Sequence, residues 1–167
     1  EALHDLLSAV EQQTLQALAD IRRLVYDLRP PALDDLGLVS ALRELGRRFS
    51  NLRVTIDADA RFDELPAALE VAIYRIACEA ITNASRHANA TTCDVTLSYD
   101  GGLAVEVRDD GDGLPDALRA GIGMSSMRER ASELGGTCSI ASAEDGGTIV
   151  YARLPVHEEV PWIPSAR

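Results

Sequence analysis

The sequence predicts an α+β fold, and three observations predict it. Two pairs of alternating strand patterns are each joined by turn residues, Asp100-Gly101-Gly102 in the first and Gly146-Gly147 in the second. A long helical pattern with one apolar and one polar face opens at Pro66 and precedes the first hairpin. A further helical pattern, with Met127, Ala131 and Leu134 at its apolar positions, separates the two hairpins. One long amphipathic helix is expected in front of this unit.

That leading helix is the first element in the chain. Leu3, Leu7, Val10, Thr14, Ala17, Ile21, Leu24 and Leu28 recur in alternating steps of four and three, a heptad seam. Residues 2–29 therefore read as one helix of about 40 Å at 1.5 Å per residue. A single stripe cannot bury itself, so the helix needs a partner. Pro30-Pro31 ends it, and Ala32 to Gly37 reads as a hinge in which Asp34 or Asp35 caps the next helix. A domain boundary is expected near residue 32.

Leu38, Ala41, Leu42, Leu45 and Phe49 then follow a helical period, and residues 53–57 alternate like a strand. Pro66 suits the opening of the next helix. Its apolar face carries Ile73, Ile76, Ala77, Ala80, Ile81 and Ala84. Strand patterns follow at 92–99, 103–109, 136–142 and 147–154. The tail from His157 has no periodicity and is expected to be loose.

Charge and composition remove whole classes of function. Net charge is −11 over 167 residues, against the clustered positive field that a nucleic-acid surface needs. No apolar run approaches the roughly 20 residues of a membrane span. Cys78, Cys93 and Cys138 are odd in number and widely spaced within apolar patterns. They predict reduced thiols in a cytosolic compartment, with neither a disulfide framework nor a zinc site. All 16 basic residues are Arg. Without Lys there is no Walker P-loop, no Ser/Thr/Tyr-type kinase strand lysine and no Schiff base.

Polar residues collect at four places. Glu79, Asn83 and His87 are spaced by four and form a stripe on one helix face, with Arg86 beside it. The same Asn and His would also serve as solvated or capping groups at a helix end. Asp109-Asp-Gly111-Asp-Gly113 closes a strand, and its glycines let backbone approach a ligand without a Cβ in the way. Asp109 could accept from an exocyclic amine. A plain acidic turn is the other reading, although the oxygen ligands and closing Glu of an EF-hand are missing. Gly121-Ile-Gly123-Met124 stands before a helix, where backbone N–H groups favour an anion. Thr148 opens the last strand.

The ordered combination is more specific than its parts. Glu79-x-x-x-Asn83-x-x-Arg86-His87, Asp109-x-Gly111-x-Gly113, Gly121-x-Gly123 and Thr148 resemble the ATP-binding catalytic domain of bacterial histidine kinases. They look like the N box, the two glycine boxes and the final threonine of the Bergerat (GHKL) ATPase, a two-layer α/β sandwich, over about residues 36–155. Asp27-Leu-Arg29-Pro-Pro31-Ala-Leu-Asp34 and Gly123-Met-x-x-Met-Arg-Glu-Arg130 are similar to the nitrate-sensor and desaturase-thermosensor type of sensor kinase.

The resemblance implies roles. Asn83 would hold Mg²⁺ through its carbonyl oxygen, with phosphate oxygens and water completing the octahedron. Glu79 would orient one of those waters or assist proton removal from the accepting histidine. Arg86 and His87 would face the phosphates of ATP. Asp109 would accept from the adenine N6 amine with Thr148 nearby through water, and Gly111 and Gly113 would pack close to the base. Gly121, Gly123 and Met124 would belong to a lid between residues 112 and 124 that closes on the triphosphate. Arg128 and Arg130 either reach the phosphates or solvate a helix face.

The same resemblance implies a domain plan and partners. Residues 1–32 would be the C-terminal part of a dimerisation and phosphotransfer hairpin, 33–156 the ATP-binding domain and 157–167 a tail. The parent would be a cytoplasmic homodimer, or the cytoplasmic part of a membrane-anchored sensor, with no direct nucleic-acid contact. It would serve a response regulator with a helix-turn-helix output domain. Leu3-His4-Asp5 imitates the phospho-acceptor box, yet an unbroken heptad pattern connects His4 to Asp27 with no residue to make the turn. The acceptor helix is therefore expected outside this sequence, which begins at Glu1 and reads as a piece of something longer. An anti-sigma-factor-like serine kinase and a non-catalytic nucleotide module are the alternatives on the same fold.

Overall fold

The computed structural model describes residues 29–59, 62, 65–99, 101–114 and 122–156. The heptad seam through Leu28, His4, Gly121 and the tail from His157 lie outside the described residues. Eight elements follow in order: α1 (Pro31–Gly46), β1 (Arg53–Ala58), α2 (Ala67–His87), β2 (Thr92–Tyr99), β3 (Leu103–Asp109), α3 (Ile122–Glu133), β4 (Thr137–Ser142) and β5 (Thr148–Leu154).

The strands make one sheet in the order β1-β2-β3-β5-β4. β1 runs parallel to β2, and α2 is the crossover that a parallel pair requires. Every other pairing is antiparallel. Cys93, Val95 and Leu97 of β2, Val105 and Val107 of β3, and Val150, Ala152 and Leu154 of β5 are buried. Their neighbours Asp94, Thr96, Tyr151 and Arg153 are exposed, because successive side chains point to opposite faces of a strand. One face of the sheet is therefore covered and the other open. That is a two-layer sandwich.

Helices make the covering layer. α2 packs on β2, β3 and β5; α1 packs on α2 and β1; α3 packs on α2 and β4. All six residues expected on the apolar face of α2 are buried, together with Leu69, Ala72 and Tyr74. The sheet and helix layers share one core.

The expected hinge at Ala32–Gly37 is instead helical. Pro31 supplies a φ already suited to a helix start, and the missing N–H of proline costs nothing there. α1 breaks only at Gly37, where φ is 71° and ψ is 171°, a conformation that glycine alone adopts freely. No side-chain cap bond is present at its start. Asp34, expected as a cap, accepts from Arg29 Nε instead.

Candidate functional site

Glu79 and Asn83 are half-buried on α2, and Arg86 and His87 are exposed in its last turn. No side chain of Asn83, Arg86 or His87 makes a hydrogen bond or ion pair among the described residues. Cationic groups are favoured at a helix C-terminus, where the dipole is negative. The stripe expected from spacing lies on one helix, half-buried at Glu79 and Asn83 and exposed at Arg86 and His87.

Asp109, at the end of β3, is only 8% exposed, a level that a carboxylate rarely reaches without partners. Gly111 N–H and Thr148 N–H both donate to its Oδ1, at 2.9 and 3.2 Å. Among the described residues Oδ2 accepts nothing, so the carboxylate is oriented through one oxygen and available through the other. Thr148, 9% exposed, thus meets Asp109 through its backbone.

The glycines around Asp109 are explained by protein contacts. A Cβ at Gly111 would stand 2.2 Å from the Ala88 carbonyl oxygen at the end of α2. Asp112 N–H donates to that same oxygen at 2.8 Å. Gly111 therefore ties the end of β3 to the end of the helix that carries Asn83. Gly113 has a φ of 77° and lies beside Ser142, whose Oγ accepts from Leu114 N–H at 3.0 Å. Gly147, which the sequence marks only as a turn, approaches Asp109 more closely still. Its Cβ would fall 1.8 Å from the Asp109 carbonyl oxygen.

The first turn of α3 closes the other side. A Cβ on Gly123 would lie 1.9 Å from Glu79 Oε1, so the Glu79 carboxylate rests against the Gly123 backbone. Met124 is half-buried and packs on the core. Glu79, Asn83, Gly123, Asp109, Gly111 and Thr148 are thus joined through α2, β3, β5 and α3, while Gly121 lies outside the described residues.

Asp110 has a role that the motif conceals. It accepts from Thr92 N–H at 2.8 Å and from Thr91 N–H and Oγ1, both at 2.7 Å. The bond from the Thr92 backbone, with those from Thr91, holds its carboxyl far below the usual carboxylate range. A depressed folded pKa lends stability that is complete above the unfolded value of about 4 and is lost as pH falls below it. Asp110→Asn is expected to remove this part of the acid limb. Melting temperatures from about pH 7 down to pH 3 test it. Parallel curves for both proteins would show that Asp110 adds nothing.

Burial governs the thiols. Burial pushes Cys93 up to about 12 and Cys78 up to about 11, so both are protonated at neutral pH. All three cysteines are free.

Residues 68–158 match the family of histidine kinase-, DNA gyrase B- and HSP90-like ATPases. The chain belongs to this family. Among curated proteins it is similar to the sensor histidine kinase MctS of Rhizobium johnstonii, 42% identical over 83% of this chain and 32% of that protein. The kinase/phosphatase UhpB of Salmonella typhimurium is 38% identical over 87% of this chain and 30% of its own length. The oxygen sensor histidine kinase NreB of Staphylococcus carnosus is 31% identical over 93% and 47%. The chain thus spans about a third to a half of these relatives. The ATP binding domain of PrrB from Mycobacterium tuberculosis shares the fold with a TM-score of 0.56 at 25% identity, over 72% of this chain and 91% of that one.

The GHKL ATPase assignment makes ATP the nucleotide to fit, and the residues fit it. Asp109 offers one uncommitted carboxylate oxygen, an acceptor suited to an amine. Asn83 offers an unpaired amide for a hard cation. Among the described residues no three His, Cys, Asp or Glu side chains cluster to hold a metal. A magnesium ion here would therefore take most of its oxygens from nucleotide and water, as this cation commonly does. Asp110 and Gly147 are the residues that sequence reasoning missed. The paired threonines Thr91 and Thr92 at the start of β2 and the positive φ implied by Gly146-Gly147 were the only signals.

Proposed function

We propose that this chain is the ATP-binding catalytic domain of a two-component sensor histidine kinase of the nitrate-sensor type. It binds Mg-ATP and passes the γ-phosphate to a histidine outside this sequence, and from there to a response regulator. The observation that carries the reading is Asp109, held by two backbone donors on Oδ1 and joined through Gly111 and Ala88 to the helix of Glu79 and Asn83. Asp109 selects adenine by accepting from its N6 amine. Asn83 ligates magnesium, and Arg86 and His87 face the phosphates at the end of α2. Glu79 orients a magnesium-bound water or takes the proton of the attacking histidine. The protein supplies position and charge neutralisation to a loose transition state.

The parent is a homodimer built through residues 1–32, with residues 33–156 as the catalytic domain. It acts in the cytoplasm and serves a regulator with a helix-turn-helix output. Among the described residues no helix is long and apolar enough to cross a membrane. The sensor-kinase relatives favour this reading over an anti-sigma-type serine kinase, and the presence of both Glu79 and Asn83 favours it over a non-catalytic module.

Asn83→Ala tests the metal. Asn83 is half-buried and alanine is the best helix former, so the fold should persist. ATP affinity measured with and without magnesium is expected to become the same in the variant. A magnesium response equal to that of the parent protein would leave Asn83 a solvated amide.

A further inference from the structure

The Asp27-Leu-Arg29-Pro-Pro31 motif is not absorbed by nucleotide binding, yet its Arg29 meets the nucleotide helix directly. Arg29 Nη2 donates to Oε2 of Glu70, while Nε of the same guanidinium donates to Asp34. The three residues come from three places: the segment before α1, the first turn of α1, and the first turn of α2.

Glu70 is the informative partner. It is 8% exposed, among residues that otherwise form the apolar side of α2. A carboxylate at that burial needs a compensating charge. The positive end of the α2 dipole gives part of it, and Arg29 gives the directional part. Asp34 is 61% exposed, so its half of the bridge is solvated and weak. Asp34 orients the planar fork; Glu70 is what the fork is held for. Pro30 and Pro31 follow at once, and their fixed φ leaves little freedom between Arg29 and α1. A rotation of the segment before Pro30 must then either carry α2 with it or leave Glu70 buried and unpaired.

We propose that Arg29 is a positioning residue: by bridging Asp34 and the buried carboxylate of Glu70, it fixes the segment that ends at Pro30 to the first turn of α2. Glu79 and Asn83 lie nine and thirteen residues further along α2, about 13 and 20 Å at 1.5 Å per residue. A rigid helix transmits orientation over that length. Motion of the preceding segment would thereby reorient the nucleotide end of α2 relative to the acceptor histidine. This last step rests on the kinase reading; the fixation itself does not.

The test replaces the pair by apolar side chains, Arg29→Met with Glu70→Leu, because an ion pair exchanged for packed apolar groups usually keeps its fold. Spin labels are placed by a cysteine-independent route at residue 22 and at exposed Thr96 on β2. The unmodified pair is expected to give one narrow distance distribution and the double variant a broad one, with a melting temperature no lower and ATP affinity unchanged within about twofold. In a longer chain that includes the acceptor histidine, phosphoryl transfer by the double variant should fall about 10- to 100-fold, the cost of an ångström-scale misplacement. Arg29→Lys should recover only part of both effects, since one ammonium cannot span two carboxylates as a fork does. A double variant with the narrow distribution and full transfer rate would overturn the proposal, and so would a broad distribution with the pair intact. A narrow, pair-dependent distance in a chain that binds no ATP would keep the positioning role and discard the kinase reading.

Discussion

Glu79→Gln is expected to slow phosphoryl transfer by about 10²- to 10⁴-fold, the usual contribution of a positioned general acid or base. The exchange keeps shape and hydrogen-bonding capacity, so the contact with Gly123 should survive. What disappears is the negative charge, and with it the ability to hold a proton or orient a metal-bound water strongly. ATP affinity should change far less than rate, because the carboxylate is not proposed to touch the base. Transfer is read with γ-labelled ATP in a longer chain that carries the acceptor histidine. Label lost in acid and kept in alkali identifies phosphohistidine, while acid-stable label would favour the serine-kinase alternative. A Glu79→Gln rate within a few-fold of the parent would leave Glu79 a structural residue under α3.

Gly147→Ala should be the most damaging glycine-to-alanine change among the described residues. The residue has a φ of 85°, and its Cβ would sit 1.8 Å from the Asp109 carbonyl oxygen. The left-handed conformation costs about 1–2 kcal/mol for a residue with a Cβ, and overpacking adds about 1–3. A total of about 2–5 kcal/mol corresponds to a melting temperature lower by about 5–20 °C in a domain of this size. Relief requires moving Gly147 away from β3, which draws Thr148 N–H off Asp109, so nucleotide binding should fail as well. Gly37→Ala is the control. Its φ of 71° with ψ of 171° is an extended positive-φ conformation that only glycine adopts freely, but nothing lies within 4 Å of its Cβ, so only the conformational cost applies, about 1–3 kcal/mol. Equal melting temperatures for the two variants would contradict the close approach at Asp109.

The helix of Glu79 and Asn83 was legible because its period carries the signal. Six apolar positions were named from spacing, and all six are buried. Hairpins were legible because Gly101-Gly102 and Gly146-Gly147 mark turns between alternating runs. The order β1-β2-β3-β5-β4 was not, since a two-residue period says which face is buried and nothing about which strand lies alongside. Ala32–Gly37 misled because glycine and paired acids resemble a linker, whereas Pro31 starts a helical turn that Leu33 anchors in the core.

Within the site, residue types singled out Asp109 and left its surroundings unread. Gly111 looked like a glycine spared for a ligand, yet its Cβ would strike the Ala88 carbonyl. Asp110 looked like another acid in a loop, yet three donors from Thr91 and Thr92 converge on it. Glu70 sits on the apolar face of α2 and only makes sense beside Arg29, forty-one residues earlier. Long-range partners of this kind leave no periodic trace in the sequence.

Calorimetric titration with ATP and with GTP tests the account at its centre. Adenine presents a donor at N6 where guanine presents an acceptor, and a carboxylate facing an acceptor repels it. ATP and ADP are expected to bind and GTP is not. Asp109→Asn should weaken ATP by about 1.5–3 kcal/mol, the range for a hydrogen bond to a charged group, which is about 10- to 150-fold. Its amide carbonyl can still accept from Gly111 and Thr148, which leaves an NH₂ facing the base, so the same variant should gain affinity for GTP relative to ATP. Equal affinities of the unaltered chain for ATP and GTP would contradict the assignment of Asp109 as the adenine reader.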